Sequence, residues 1–402
     1  MLDTMLIGTG TLTRDTLAGR VAVVTGAGGG IGYEAARSLR WLGCRVVIAE
    51  IDRGAGERAA RRIDGEFGPG SALSAPTDVG DERGVARLAR LAQRTFGQVD
   101  VVLNNATVVA LGAVKDLGIG AWDASYRVNL RGPVLLARAF LPGMAARRWG
   151  VFLCVSSAGT AYMGPYESMK AAQVHLGTTL DEELDGTGLS AFTIAPGFVP
   201  TGTASSSMPR LAALMGRSEE EMLRELEEHT LSVEAAGAGF AAAVAMAPRY
   251  HGQEISSYQA LADAGIGIPA AGSASADMAP EVMERALGLC RSVRATLAEQ
   301  SAAWKDRSVF ERQWMIRTFR QKASLPVEEW LQALSLLESA LERGDGAALA
   351  AIRAPLDRLA AYYAHLHEMA KGYLKDPAQR GEQLRIVGGW QADVERLHGL
   401  LR

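Results

Sequence analysis

From residue 20 to about 262, short β-branched apolar runs alternate with longer segments in which apolar residues recur every three or four positions. VAVVT (21–25), RVVIAE (45–50), VDVVLN (99–104), VFLCVS (151–156) and SAFTIAP (190–196) predict buried strands, and SALSAP (71–76) a weaker one. YEAARSLRWLG (33–43), ERGVARLARLAQRTF (82–96) and the stretch around 121–147 predict helices between them. Strands that are apolar on both faces must be covered on both faces. The pattern therefore predicts an α/β fold, a doubly wound parallel sheet with helices on either side. Rhythm alone does not fix the strand order.

Beyond about residue 265 the pattern changes. Residues 264–279 are small and turn-rich, which suits a linker, and no later run reads as a strand. Helical spacing covers 280–300, 305–322, 326–343, 347–373 and 380–401. Pro326 suits a first helical turn, Gly344 with Asp345 marks a stop and a new start, and Pro355 predicts a kink or break. At 402 residues the chain exceeds one ordinary core. Two domains are expected: an α/β domain over 18–263 and an all-α C-terminal extension over 280–402.

Composition adds exclusions. Hydrophobic residues make up 48% and charged residues 22%, and the formal net charge is -3. Nothing here grips nucleic acid or anionic lipid, and no apolar run is long enough to span a membrane. Cys44, Cys154 and Cys290 are widely spaced and odd in number, which fits free thiols in a reducing compartment. The N-terminus lacks a basic start and a long apolar run, so a cytoplasmic location is expected. His365 and His367 flank Leu366 and do not share a helical face, so no metal site is expected.

Thr25-Gly26-Ala27-Gly28-Gly29-Gly30-Ile31-Gly32 follows the first strand and opens a helix. Glycines let the backbone turn sharply and let a pyrophosphate approach the helix N-terminus, where free N–H groups favour negative charge. The preceding strand and following helix supply the context this pattern needs; a glycine loop without a ligand is the alternative. Glu50 ends the second strand, where an acid can accept both ribose hydroxyls of adenosine. A carboxylate there repels a 2′-phosphate, and no Arg or Lys stands between Gly26 and Gly32. Both features favour NAD over NADP. Asp52 is a second candidate acid, and Arg53 pulls the other way.

Tyr166-Glu167-Ser168-Met169-Lys170 opens a helical segment after VFLCVSS. Residues four apart share a helical face. An ammonium near a phenol favours phenolate and is expected to lower the Tyr166 pKa. With the glycine loop, this order of motifs resembles the short-chain dehydrogenase/reductase family over about residues 18–260. Gly26, Gly30, Ile31 and Gly32 fall in that family's cofactor loop. Asp78-Val79 match the pair after the third strand whose acid meets the adenine. Asn104-Asn105-Ala106 match the motif after the fourth strand, and Asn129 stands in VNLRGP, where the family keeps a water-holding Asn. Ser156-Ser157 precede Tyr166 and Lys170. Pro196-Gly197 and Thr201 match the loop that touches the nicotinamide.

The resemblance implies a Rossmann-like fold and an NAD-dependent oxidoreductase that interconverts a secondary alcohol and a ketone. Tyr166 would exchange a proton with the substrate oxygen, while Lys170 tunes Tyr166 and bonds the nicotinamide ribose. A serine hydroxyl would stabilise charge on that oxygen. Asn129 would support a water path from Lys170 to solvent. The family pattern leaves Ser156 and Ser157 both open; Ser157 is favoured because it ends the strand on the tyrosine side. Oxidation is the direction expected with NAD. Family members pair through helices that here lie near 121–147 and 165–186, which implies a homodimer or homotetramer that the helical extension could enlarge or whose active site it could cover.

Two departures stand out. Thr107 replaces the usual glycine after Asn-Asn-Ala and is expected to narrow a channel. The 158–165 segment is shorter than usual and is expected to reshape the substrate pocket, with Tyr162 either lining it or packing. Residues 202–230 read as a lid over an apolar substrate or as a solvated surface helix. The substrate expected is a small apolar or aromatic alcohol or ketone. Trp304, Trp314 and Trp330 suit a helical core, a subunit contact or a ligand pocket. An NADPH-dependent ketone or oxoacyl reductase, or a non-catalytic NAD-binding interaction protein, are the alternatives.

Overall fold

Side chains alternate between the two faces of a strand, so a strand covered on both sides needs an unbroken apolar run. The computed structural model describes residues 5–157, 159–227, 230–267, 280–323, 327–343, 356, 359–369, 371 and 377–400. The strands are β1 (Val21–Thr25), β2 (Arg45–Glu50), β3 (Ala72–Pro76), β4 (Val101–Asn104), β5 (Gly150–Val155), β6 (Leu189–Ala195) and β7 (Glu254–Ser256). They form one sheet in the order β3-β2-β1-β4-β5-β6-β7, with every pair parallel. This is the Rossmann-like, doubly wound arrangement. The order reverses between β1 and β4, the point where such sheets open a crevice at their carboxyl ends. β7 escapes the sequence pattern because it has only three residues, one of them fully buried.

Helices α1 (Gly30–Trp41), α2 (Arg53–Phe67) and α3 (Glu82–Phe96) follow the first three strands. Asp52 caps α2 by accepting from the Ala55 N–H, and Asp81 caps α3 by accepting from Arg83 and Gly84. Strand alternation splits the core. Ala22, Val24, Ile48 and Leu153 face α1 and α9 (Val233–Ala245), whereas Val23, Val47, Val102 and Phe152 face α3 and α5 (Gly132–Arg147). α1 and α9 pack so closely that a Cβ on Gly237 would lie 2.6 Å from the Ala35 nitrogen. The core also reaches upstream of residue 18: Met5, Ile7 and Leu17 are buried in it, and the Thr11 N–H donates to the Ala264 carbonyl.

The stretch read as one helix around 121–147 is three pieces: α4 (Ile119–Ser125), a π-helical turn (Tyr126–Arg131) and α5. Pro133 gives a reason. An α-helix would bond the Asn129 carbonyl to the N–H of residue 133, and proline has none. Downstream lie α6 (Gly164–Glu183), α7 (Gly202–Met215), α8 (Glu219–Glu227) and α10 (Ser257–Asp263).

The chain divides into two compact units, residues 1–271 and 272–402. Among its described residues the second unit is helical: α11 (Pro280–Ala303), α12 (Val309–Ala323), α13 (Val327–Arg343), residues 359–369 and a C-terminal helix (Pro377–Leu400). Its core gathers Leu297, Trp304, Phe319, Trp330, Leu334 and Tyr363. Trp304 and Trp330 are thus core residues, and the Trp330 indole N–H donates to the Ala323 carbonyl at 3.0 Å. Residues 268–279 of the expected linker, and Pro326, Gly344, Asp345 and Pro355, lie outside the described residues. Among the described residues no helix is long and apolar enough to cross a membrane.

Candidate active site

The carboxyl ends of β1 and β4 are locked together by backbone-directed polar groups. The Thr25 hydroxyl accepts from the N–H groups of Asn105 and Ala106, both at 3.0 Å. The Asn105 amide donates back to the carbonyls of Thr25 and Gly26. Gly26 turns with φ 63°, and a Cβ there would lie 2.9 Å from the Ala106 Cα. A Cβ on Gly32 would meet the Gly26 carbonyl at 2.5 Å. Only glycine permits this approach of loop to loop. α1 then starts at Gly30 with no side-chain cap on Gly29, so the first-turn N–H groups of Gly30, Ile31 and Gly32 have no capping side chain.

Glu50 stands at the end of β2, where its carboxylate accepts from the Gly28 N–H at 3.0 Å and the Asp52 N–H at 3.1 Å. It therefore braces the glycine loop, with Asp52 occupied as a helix cap. Asp78 accepts from Arg127 at 2.8 Å and from the Gly80 N–H. Val79 is buried and would touch a Cβ placed on Gly132.

At the end of β5 the two serines separate. The Ser156 N–H continues the sheet to the Ile194 carbonyl, and its hydroxyl is fully buried without a partner. Ser157 turns the other way. Its hydroxyl donates to Glu167 at 3.2 Å and lies near enough to Tyr166 to act on that phenol's ionisation. The structure thus brings Ser157, not Ser156, to the tyrosine.

Lys170 is fully buried on the inward face of α6, its ammonium donating to the Val155 carbonyl at 2.6 Å and lying 5.6 Å from the centre of the Tyr166 ring. Burial lowers its pKa to about 8, against the raising pull of Cys154 and Glu167. Burial also raises the Tyr166 pKa above its ordinary value, although the neighbouring Ser157 hydroxyl opposes the rise. Here the expectation from YxxxK is reversed. In this pocket the loss of solvation around the phenolate outweighs help from its neighbours.

Asn129 sits on the π-helical turn, fully buried. Its amide donates to the Val108 carbonyl and the Ser125 hydroxyl, and its side-chain oxygen accepts from the Val108 N–H and the Thr107 hydroxyl. Thr107, expected to narrow a channel, donates its hydroxyl hydrogen to Asn129. The Asn129 carbonyl accepts from the Gln173 amide. Both side-chain groups and the carbonyl of Asn129 therefore have protein partners. Gln173 and Glu167 escaped the sequence reading. Gln173 carried a detectable signal: it is polar at three residues from Lys170, on the face that must be buried.

Past β6, Pro196 and Gly197 (φ 79°) turn the chain towards α7, which Thr201 caps by accepting from Ala204. A Cβ on Gly30 would lie 3.7 Å from the Thr201 methyl, so the loop after β6 meets the glycine loop. α7 and α8 then bury Met208, Leu211, Ala212 and Met222 against Leu111, with Val109, Tyr162, Met163 and Phe198 packed around them. Tyr162 holds φ 68°, uncommon for a residue with a side chain, and its carbonyl accepts from the Gly112 N–H. The shortened segment thus presents a strained tyrosine to an apolar cluster.

Comparisons with known proteins agree with this arrangement. The family model for short chain dehydrogenases matches residues 20–211. An uncharacterized oxidoreductase of Staphylococcus aureus is 32% identical over 197 residues, covering 48% of this chain and 84% of that protein. The L-sorbose reductase of Gluconobacter frateurii, solved with NADPH and L-sorbose, superposes with a TM-score of 0.55 at 24% identity, over 60% of this chain and 96% of that one. The 3-ketoacyl-(acyl-carrier-protein) reductase of Brucella melitensis, solved with NADH, gives a TM-score of 0.52 at 25% identity, over 60% and 97%. With the glycine loop, the parallel sheet and the Ser157–Tyr166–Lys170 cluster all falling inside the shared region, the chain belongs to the short-chain dehydrogenase/reductase family of oxidoreductases.

Proposed function

We propose that this protein is an NAD-dependent oxidoreductase that interconverts a secondary alcohol and a ketone, with Tyr166 as general acid/base. The observation that carries this reading is the gathering of Ser157, Tyr166 and the buried Lys170, whose ammonium lies 5.6 Å from the centre of the tyrosine ring. The residues also fit a dinucleotide. The uncapped start of α1 at Gly30, Ile31 and Gly32 suits a pyrophosphate, and the tight Gly26 turn keeps the loop clear of side chains. Glu50 would accept the adenosine ribose hydroxyls; Asp78, Val79, Asn105 and Ala106 would border the adenine side, and Pro196, Gly197 and Thr201 the nicotinamide side. When bound, the nicotinamide supplies the hydride acceptor or donor.

The chain's own residues do the rest. Ser157 meets the substrate oxygen and stabilises charge on it. Tyr166 takes the proton from an alcohol or gives one to a ketone, and Lys170 holds positive charge behind it. Asn129 holds the π-helical turn against Thr107 and Val108, in the loop after β4 beside which the substrate would lie. A Tyr166 kept protonated by burial suits proton donation to a ketone at neutral pH; alcohol oxidation needs the phenolate and should gain as pH rises. The methionine- and leucine-rich face of α7 and α8 supports an apolar or aromatic substrate.

The test is NADH formation across a panel of secondary alcohols, with ketone reduction run in reverse. Tyr166→Phe should lower kcat by about 10²- to 10⁴-fold and leave NAD binding within about twofold. Wild-type protein that transfers hydride to or from no member of the panel with either cofactor would sink the reading. An NADPH-dependent reductase remains the second reading, supported by the NADPH held by the L-sorbose reductase. Titrating both cofactors separates the two, since NADP binding as tight as NAD would contradict the role given to Glu50.

A further inference from the structure

Glu167 stands one residue after Tyr166 in the first turn of α6 and is half-buried. Among the described residues no Lys, Arg or His forms an ion pair with its carboxylate, whose hydrogen bond comes from the Ser157 hydroxyl at 3.2 Å. The short segment after β5 closes over it. A side chain on Gly159 would overlap the carboxylate, so only glycine lets the backbone come this near. The charge reaches the reactive pair: it pushes the pKa values of Tyr166 and Lys170 upward, in Lys170 against the effect of burial. The Glu167 N–H donates to the Met163 carbonyl at 2.9 Å, and Met163 packs on the apolar cluster that holds Met208, Leu211 and Phe198. A carboxylate and an apolar wall thus meet at the start of α6.

Counting hydrogens shows why this matters. A serine hydroxyl has one hydrogen to give. Without substrate, Glu167 holds it. To stabilise charge on a substrate oxygen, Ser157 must turn that hydrogen to the substrate. The Glu167 oxygen then loses its donor. Bonds to charged groups are worth more than bonds between neutral ones, so the loss is felt in a half-buried site. A substrate that carries a donor beside its reacting oxygen restores the bond. A substrate that carries an anion there meets a like charge at close range.

We propose that Glu167 selects the substrate: its carboxylate takes a hydroxyl or ammonium donor on the carbon next to the reacting one, and turns away substrates with an anionic group there. The inference rests on the reading of Ser157 and Tyr166 as the groups that meet the substrate oxygen, and it narrows the substrate class. The body is apolar or aromatic, and the reacting end is a vicinal diol or amino alcohol, or the matching hydroxyketone or aminoketone. The neighbouring donor keeps its hydrogens throughout; only the reacting oxygen exchanges a proton with Tyr166.

Four probes with one aromatic body test it: methyl phenyl carbinol, phenylethylene glycol, phenylethanolamine and mandelate. They differ in the group beside the carbinol, which is methyl, hydroxymethyl, aminomethyl or carboxylate. Two quantities are read for each, kcat/KM with NAD and the dissociation constant by calorimetry with NADH bound, where no alcohol can be oxidised. With wild-type protein the glycol and the amino alcohol should each exceed methyl phenyl carbinol by about tenfold, and mandelate should fall below it. Glu167→Gln removes the charge at nearly constant volume, so the amino alcohol should lose about tenfold and mandelate should gain. Glu167→Ala removes the acceptor, and both preferences over methyl phenyl carbinol should disappear. The readout is a ratio between probes within one protein, which a general loss of stability or of Ser157 geometry would not move. A preference for one donor alone supports the proposal and names that donor. Wild-type protein with neither preference, or Glu167→Gln with the wild-type ratios, overturns it, as does protein that binds none of the four. If the binding ratios hold while nothing turns over, the proposed activity fails and selection by Glu167 stands.

Discussion

The two units of this protein bury different things. In the α/β unit Asn104, Asn129, Ser156, Lys170 and Gln173 are fully buried at the ends of β4 and β5 and on the helices beside them. Among the described residues of the helical unit, the fully buried residues are apolar or aromatic, with Cys290 the one thiol, although single polar atoms of Arg294, Gln300 and His367 are also buried without a hydrogen-bond partner. An unpaired buried polar group costs about 1–3 kcal/mol, and a buried charge more. Among the described residues the fully buried lysine and the polar residues around it are confined to the α/β unit, where the proposed chemistry would sit, and the helical unit has a mainly apolar core.

The largest break in this comparison should come from Lys170→Met. Turnover is expected to fall by about 10²- to 10⁴-fold. Stability should move the other way. The folded pKa of Lys170 is lowered to about 8 from the ordinary 10.5, so the fold disfavours the charged form. The wild-type penalty is fully present below about pH 8 and is relieved as pH rises from there towards about 10.5. Below pH 8, Lys170→Met should therefore gain roughly 1–3 kcal/mol, after allowing for the Val155 carbonyl it leaves unpaired. The advantage should shrink as pH rises through that window. Urea denaturation at pH 7 and pH 10 reads it directly, and a variant less stable than wild type at both would show that the ammonium stabilises the fold after all.

Trp330→Ala tests the other side. The indole is fully buried and bonded to the Ala323 carbonyl, so removing it should cost the helical unit about 3–5 kcal/mol. If the chemistry belongs to the α/β unit alone, kcat and KM of the folded variant should match wild type. A kinetic change at temperatures where the helical unit remains folded would break the comparison and give that unit a part in the site.

Much of this division was legible in the sequence, and the exceptions have physical causes. Continuous apolar runs such as VAVVT and VFLCVS announce a strand covered on both faces, and the glycine loop needs backbone approaches that only glycine allows. Tyr166 and Lys170 share a helical face at four-residue spacing, so their juxtaposition could be read directly. β7 could not, because three residues carry too little alternation. The π-helical turn hid behind helical spacing, although Pro133 four residues after Asn129 marks the missing bond. The direction of the Tyr166 shift was misread because spacing reports a neighbouring charge and says nothing of burial. Gln173 was missed for a related reason: its partners, Asn104 and Asn129, come from two other segments.

Ser156 gives the smallest and sharpest test of the comparison. Its hydroxyl is buried without a partner, one residue from a serine that reaches Tyr166. A buried hydroxyl with no bond contributes desolvation cost and little else. Ser156→Ala removes that cost and leaves a cavity smaller than a methyl group, so stability should be unchanged or rise by about 1 kcal/mol. Turnover should stay within about twofold, while Ser157→Ala, which removes the group at the tyrosine, should lose about 10²-fold or more. The paired measurement separates two neighbours that sequence spacing alone leaves interchangeable. If Ser156→Ala is the variant that loses turnover, that hydroxyl faces the substrate in the working enzyme, and the strand end must rotate by one residue when ligands bind. The buried polar groups of the α/β unit would then be moving parts of the site, and the contrast with the helical unit would be one of mobility as well as composition.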